Sequence, residues 1–245
     1  MRITGCEILH CNAGWRDFSF LKLMTDENIT GISEYNECYG SPGLSGIIRR
    51  LVERIKEMDA LAHEHIHQCL YAATRQAPGG VNQQAIAAIE NALLDIKGQA
   101  LNVPVYDLLG GAIRKEIPVY WSHCGTYIWR PEIAELCQVD AIRKPDDLVK
   151  LGKRVKDQGF SGLKTNMITF NDEAGASLYM PGTASRPGWP DLNVPSSLIG
   201  QLRDQLTAMQ DGAGPDVGIR LDLNFNFKPE GYRQVTTALD DLDLT

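Results

Sequence analysis

No run of about eighteen apolar residues occurs in the sequence, and Met1-Arg2-Ile3-Thr4 leads straight into an alternating segment, not into the apolar core of a signal peptide. A cytoplasmic protein without a membrane span is therefore expected. Basic charge is short as well. Lys and Arg number 24 against 31 Asp and Glu, a formal net charge of -7, which argues against general affinity for nucleic acid or anionic membranes. A small anionic ligand would need local positive charge or a metal. No CxxC pair is present: Cys6, Cys11, Cys38, Cys69, Cys124 and Cys137 are scattered in a chain too large to need staples. Reduced, mostly buried thiols are expected. Gly110-Gly111 is followed by no lysine or dinucleotide pattern, which excludes a phosphate loop. What is present, 43% hydrophobic residues in a chain of 245, is enough core for two modest domains or one large one.

Periodicity divides the chain. Arg2 to Cys11, Phe18 to Met24 and Ile29 to Tyr35 alternate, with the turn residues Thr25-Asp26-Glu27-Asn28 before the third run, and predict an antiparallel meander. From Gly46 to Arg75 apolar residues recur at steps of three and four, the helical period, and a second helix is expected over about Asn82 to Gln99, ended by Gly98 and Pro104. Beyond Pro118 single strands alternate with helices. Strands are expected at Ile117 to Trp121, Gly159 to Asn166 and Gly218 to Phe227, and helices at Pro145 to Gln158, Asn193 to Met209 and Pro229 to about Leu239. Such alternation implies parallel strands with crossover helices. Thr169 to Leu192 shows neither period and reads as a long loop.

Gly218 to Phe227, GIRLDLNFNF, alternates without a break, with Arg220, Asp222, Asn224 and Asn226 on one side. Its polar side faces either water or the mouth of a barrel, where an Asp becomes a ligand or a catalyst. His63-Glu64-His65-Ile66-His67 resembles a metal cluster, but only His63 and His67 share a helical face, and a solvated helix is expected.

The run Ala85-Ile86-Ala87-Ala88-Ile89-Glu90-Asn91-Ala92-Leu93-Leu94-Asp95-Ile96-Lys97-Gly98, continuing through Pro104 to Leu108-Leu109-Gly110-Gly111, resembles the region closing the capping domain in the mandelate racemase and muconate lactonizing branch of the enolase superfamily. The turn Thr25-Asp26-Glu27 leading to Gly31-Ile32-Ser33-Glu34 fits that family's N-terminal meander. Lys164-Thr165-Asn166 and Asp222-Leu223-Asn224 fall where its barrel carries catalytic and metal residues. The resemblance implies an α+β capping domain, residues 1–112, followed over 113–245 by a partial (β/α) TIM-type barrel with about three βα units, and one Mg²⁺ that grips a substrate carboxylate. In that family a base removes the proton on the neighbouring carbon. Two cations beside the carboxylate hold the doubled negative charge that results, and enolase-superfamily sites pair a Lys or His base with Mg²⁺.

Carried over residue by residue, the resemblance makes Asp222 a Mg²⁺ ligand, since a hard cation takes carboxylate oxygens and a TIM-type fold presents them at strand ends. It puts Lys164 and Asn166 at the catalytic face. The family's racemases carry a second lysine where Asn166 stands, so the usual base on this strand is missing. Asn224 is expected two residues past Asp222 on the same strand face, and His123, with Tyr127, at the barrel mouth. Asn224, His123, Trp15, Arg16 and Tyr39 are the expected substrate contacts, the last three from the loops at Asn12 to Asp17 and Asn36 to Ser45. The expected activity is dehydration of a sugar acid to a 2-keto-3-deoxy acid, because racemisation needs a competent base on both faces of the α-carbon. A racemase or cycloisomerase, or a non-catalytic binding or assembly module, are the alternatives. The expected partner is a small carboxylate, with self-association into a homo-oligomer. The family's other metal ligands belong to later strands, so the chain is expected to be a fragment and inactive alone.

Overall fold

Three strands open the chain, β1 (Ile3–Asn12), β2 (Asp17–Thr25) and β3 (Thr30–Tyr35), joined as an antiparallel sheet in the order β1-β2-β3. The computed structural model describes residues 1–38, 40–171, 175–181, 187–242 and 244. They form two units, Met1–Lys115 and Glu116–Thr245. In the first unit the alternation of β2 sends Leu21 and Leu23 into the core while Lys22 reaches across to Glu7 at 2.9 Å.

Two helices, not one, follow: α1 (Leu44–Ile55) and α2 (His63–Thr74). The helical period runs through residues 46–75, but the backbone between the helices is claimed by the start of the chain. Glu57 donates its N–H to Ile3 O at 2.9 Å, Ile3 donates to Met58 O at 3.1 Å and Ala60 donates to Met1 O at 3.0 Å. Glu57 takes a φ of 64° to make this turn. Tertiary pairing outweighs a periodic pattern that only records which face is apolar.

The helix α3 (Gly80–Leu101) lies on the sheet, followed by the short α4 (Val105–Leu108). Gly98 does not end α3. It is buried within the helix, where a Cβ would come 2.9 Å from Val103 O, and Asn102 in the left-handed conformation (φ 53°) forms the C-terminal cap. Asp95 accepts the N–H of Ile32 at 2.8 Å and Gln99 donates to Thr30 O at 2.9 Å, so α3 side chains satisfy backbone groups of the edge strand β3. The α2 histidines are not simply solvated: His67 lies 3.1 Å from Glu90 and His63 3.5 Å from Lys97, both on α3.

The second unit contains β4 (Tyr120–Trp121), α5 (Pro131–Leu136), α6 (Asp146–Asp157), β5 (Gly162–Thr165), β6 (Ile168–Asn171), β7 (Gly175–Leu178), α7 (Ser196–Ala213), β8 (Gly218–Leu221) and α8 (Pro229–Ala238). β4, β5 and β8 pair in parallel in that order, and an isolated parallel bridge joins Ile219 to Leu244. The three expected strands are present but shorter than their apolar patterns. The expected loop from 169 to 192 instead overlaps an antiparallel hairpin of β6 and β7, and residues 172–174 and 182–186 lie outside the described residues. α6 and α7 cross at glycines: a Cβ at Gly152 would fall 2.2 Å from Met209 O, and one at Gly212 would fall 1.9 Å from Val149 O. Leu148, Leu151 and Val155 of α6 and Leu198, Leu202, Leu206 and Met209 of α7 build the core against Leu163 and Ile219.

No described helix is long and apolar enough to cross a membrane. All six cysteines are free, but only Cys124 is buried; Cys11, Cys38, Cys69 and Cys137 are exposed. The face on which each element places its thiol overrides the general habit of cysteine to be buried.

Candidate active site

The C-terminal ends of β4, β5 and β8 lie side by side, and each delivers one of the expected residues. Lys164 sits in β5, paired with Arg220 of β8 in the parallel register, and Asp222 follows β8 directly. Its N–H still donates to Thr165 O at 2.8 Å, which carries the ladder one bond past the strand. The Lys164 ammonium then lies 3.1 Å from Asp222 Oδ2, both side chains partly buried.

The strand does not continue to Phe227. Asp222 Oδ1 accepts the N–H of Asn224 at 2.9 Å, and Asn224 enters the left-handed region at φ 50°, a turn that asparagine tolerates. Asn224 is thus placed by a turn closed on the Asp222 carboxylate and does not sit two residues along a strand face. Tyr232 of α8 donates to Asn224 O at 2.6 Å and fixes that turn. Beyond it Phe225 points to solvent at 85% exposure, whereas Asn226 is buried and donates to Tyr179 O at 2.8 Å. The unbroken alternation therefore ends with the strand, although Leu223 packs against the core and Phe227 is buried in it.

Burial pushes the Asp222 carboxyl up, but the Asn224 N–H, the Lys164 ammonium and, more weakly, His123 outweigh it, and the group is held below the usual carboxylate range. It is ionised at neutral pH. His123 follows β4 at φ 54°, its ring 5.4 Å from that of Tyr127, and its buried Nδ1 has no hydrogen-bond partner among the described residues. Next to it, burial raises the Cys124 thiol to about 12, so this is no thiolate nucleophile.

Asn166 leaves the sheet just past β5 and is almost fully buried. Its Oδ1 accepts the Thr126 hydroxyl at 2.6 Å and its Nδ2 donates to Asp222 O at 3.0 Å. Gln205 of α7 donates to Asn166 O at 2.7 Å and to Thr165 Oγ1 at 3.1 Å. Thr126, Gln205 and Tyr232 were not among the sequence candidates. Gln205 did carry a signal: it interrupts the apolar face formed by Leu198, Leu202, Leu206 and Met209, and a buried amide is tolerated only with partners.

In the first unit Trp15 and Arg16 occupy the turn between β1 and β2, where the Arg16 guanidinium lies 4.8 Å from the Phe18 ring centroid and 5.8 Å from that of Trp15. Tyr39 lies outside the described residues.

A hard divalent cation suits the Asp222 donor, an ionised carboxylate at a strand end. Among the described residues no group of three His, Cys, Asp or Glu side chains could hold a metal, and Asp222 supplies a single carboxylate.

The family described as mandelate racemase / muconate lactonizing enzyme, N-terminal domain, matches residues 11–110. A D-galactonate dehydratase of Xanthomonas axonopodis pv. citri (strain 306) is 37% identical over 127 residues, 49% of this chain and 31% of that protein. A D-galactonate dehydratase family member of Streptomyces bingchenggensis (strain BCW-1) is 29% identical over 252 residues, covering 99% of this chain and 56% of that protein. The crystal structure of a provisionally named L-alanine-DL-glutamate epimerase from Burkholderia xenovorans strain LB400, bound to magnesium and fumarate, superposes with a TM-score of 0.91 at 42% identity, over 99% of this chain and 59% of that one. Where nearly the whole chain aligns, it spans between a half and three fifths of the proteins it resembles.

Proposed function

We infer, for a chain that belongs to the mandelate racemase and muconate lactonizing enzyme family of the enolase superfamily, that it forms the N-terminal part of a Mg²⁺-dependent lyase that dehydrates a sugar acid to a 2-keto-3-deoxy acid. The observation that carries this reading is the Lys164–Asp222 pair, 3.1 Å apart at the ends of adjacent parallel strands. Asp222 would hold the metal, and the chemistry that Mg²⁺ supplies when bound is to withdraw electron density from the substrate carboxylate and so acidify the α-proton. Lys164 sets an ammonium beside the same carboxylate, a second positive charge where negative charge develops. His123 and Asn224 are assigned to substrate contact at the same strand ends.

Asn166 supports one outcome over the other. An amide accepts no proton at neutral pH, and this one is committed to Thr126 and to Asp222 O. The β5 side therefore lacks the second base that racemisation needs, and elimination of a β-hydroxyl is favoured. The galactonate dehydratase relatives support the same direction. The 42% identical neighbour named as an epimerase favours a second reading, epimerisation of a small carboxylate, for which Lys164 would be the base.

The test is to express the full-length gene product with Mg²⁺ and screen a panel of sugar acids for 2-keto-3-deoxy products. A keto acid from one of them supports dehydration. Exchange of the α-hydrogen with solvent and no keto acid would favour the epimerase reading instead.

A further inference from the structure

We propose that Gln205, Asn166 and Thr126 are positioning residues, a buried hydrogen-bonded clamp that sets the Asp222 carboxylate and the Lys164 ammonium in register for a divalent cation. The proposal rests on the assignment of Asp222 as a metal ligand. Gln205 and Asn166 are each 1% exposed and Thr126 is 4% exposed. The chain of bonds runs from α7 through the end of β5 to both of its neighbours. Gln205 Nε2 donates to Asn166 O and Thr165 Oγ1; Asn166 Nδ2 donates to Asp222 O beyond β8; Asn166 Oδ1 accepts from Thr126 beyond β4. Gln205 Oε1 also accepts the N–H of Ile168 at 2.8 Å. Donors and acceptors fix the orientation of the Gln205 amide, because Ile168 N–H needs an acceptor and Asn166 O needs a donor.

Packing alone does not call for this arrangement. Position 205 faces the core between Leu202 and Leu206, where a leucine would add apolar burial, and a buried amide costs stability unless its bonds are made. What the amides supply is direction. After Thr165 the backbone leaves the sheet, and Asn166 ties its turn to the Asp222 carbonyl two covalent bonds from the carbon that bears the side chain. On the other side of Asp222, its N–H is held by Thr165 O at 2.8 Å. The peptide units on either side of the Asp222 Cα are thereby pinned to the end of β5, the strand that carries Lys164, so the geometry of the pair depends on groups that never touch a ligand. Supporting residues of this kind change metal affinity by ten-fold or more when removed.

The experiment measures Mn²⁺ binding by titration calorimetry in the full-length gene product, with thermal unfolding of the metal-free protein recorded alongside. Gln205→Met keeps the volume and deletes the bonds, and is expected to weaken Mn²⁺ binding about ten-fold. Leu202→Ala, one turn earlier on α7, is the structural control, expected to lower Tm while leaving Mn²⁺ affinity within about two-fold. Asp222→Ala separates the two claims. If it abolishes Mn²⁺ binding while Gln205→Met binds like the unsubstituted protein, the clamp is overturned alone. If Asp222→Ala binds Mn²⁺ normally, the clamp and the metal assignment fall together. Should Gln205→Met fail to fold, Thr126→Val, which removes one hydroxyl at the far end of the clamp, carries the same decision: weakened binding supports it, unchanged binding overturns it.

Discussion

Lys164 Nζ stands 3.1 Å from Asp222 Oδ2, an ion pair between the ends of two neighbouring parallel strands, and the Asp222 carboxylate also accepts the N–H of Asn224. One carboxylate thus closes a backbone turn with one oxygen and faces a cation with the other. Its charge is held by the fold, and it is available to a metal only through oxygens whose positions the strand ends already set.

Acid should reveal that charge. The folded pKa of Asp222 lies below its unfolded value, so the group contributes stability above about pH 4, the ordinary carboxylate value, and loses it as pH falls through the lower folded value. Without added metal, Asp222→Asn should be less stable than the unsubstituted protein at pH 7 in urea unfolding, with the gap closing in acid. A gap unchanged at low pH would contradict the assignment.

Where α6 crosses α7, an added methyl has no room, because a Cβ at Gly152 or Gly212 meets backbone oxygen at 2.2 or 1.9 Å. Gly152→Ala and Gly212→Ala should each cost about 1–3 kcal/mol or more, despite alanine's better helix propensity. A denaturant midpoint that stays put or rises would show that the helices can separate freely.

The first unit offers a parallel test at β3. A Cβ at Gly31 would lie 2.0 Å from Ala92 O, and Asp95 accepts the Ile32 N–H. Gly31→Ala should destabilise by more than Asp95→Ala, for which about 1 kcal/mol is expected because the exposed Ile32 N–H can turn to water. The order of the two midpoints checks the packing.

Tyr232→Phe removes only the hydroxyl that reaches Asn224 O. It should cost about 1 kcal/mol in urea unfolding. Full stability in the variant would mean that the turn after Asp222 holds without α8.

The sequence and the structure part where tertiary bonds compete with a periodic pattern. The meander and α3 were legible because each buries one continuous face, as Leu21, Leu23, Ile89 and Leu93 do. Alternation over 218–227 overreached, since Asp222 turns its carboxylate onto the Asn224 N–H and ends the strand, a choice no period records. The break between α1 and α2 was hidden for a similar reason, as Ile3 and Met1 claim the backbone of Glu57 to Ala60. Of the candidate site, Asp222 and Lys164 were singled out through the motif they resemble, and the structure sets them 3.1 Å apart. Asn166 was visible only as a departure, and its hydrogen bonds to Thr126 and Asp222 became evident once three distant segments were brought together.

The most direct test of the central claim is the reaction in deuterated water. The full-length gene product, with Mg²⁺ and the sugar acid that responds in the screen, is followed by proton NMR beside its Asp222→Asn variant. Dehydration predicts a 2-keto-3-deoxy acid carrying one solvent deuterium at C3, and a variant slowed by at least about 100-fold, the scale expected when a group that holds charge in the transition state is lost. Product formed equally fast by Asp222→Asn, or deuterium at C2 of recovered substrate with no keto acid, would contradict it.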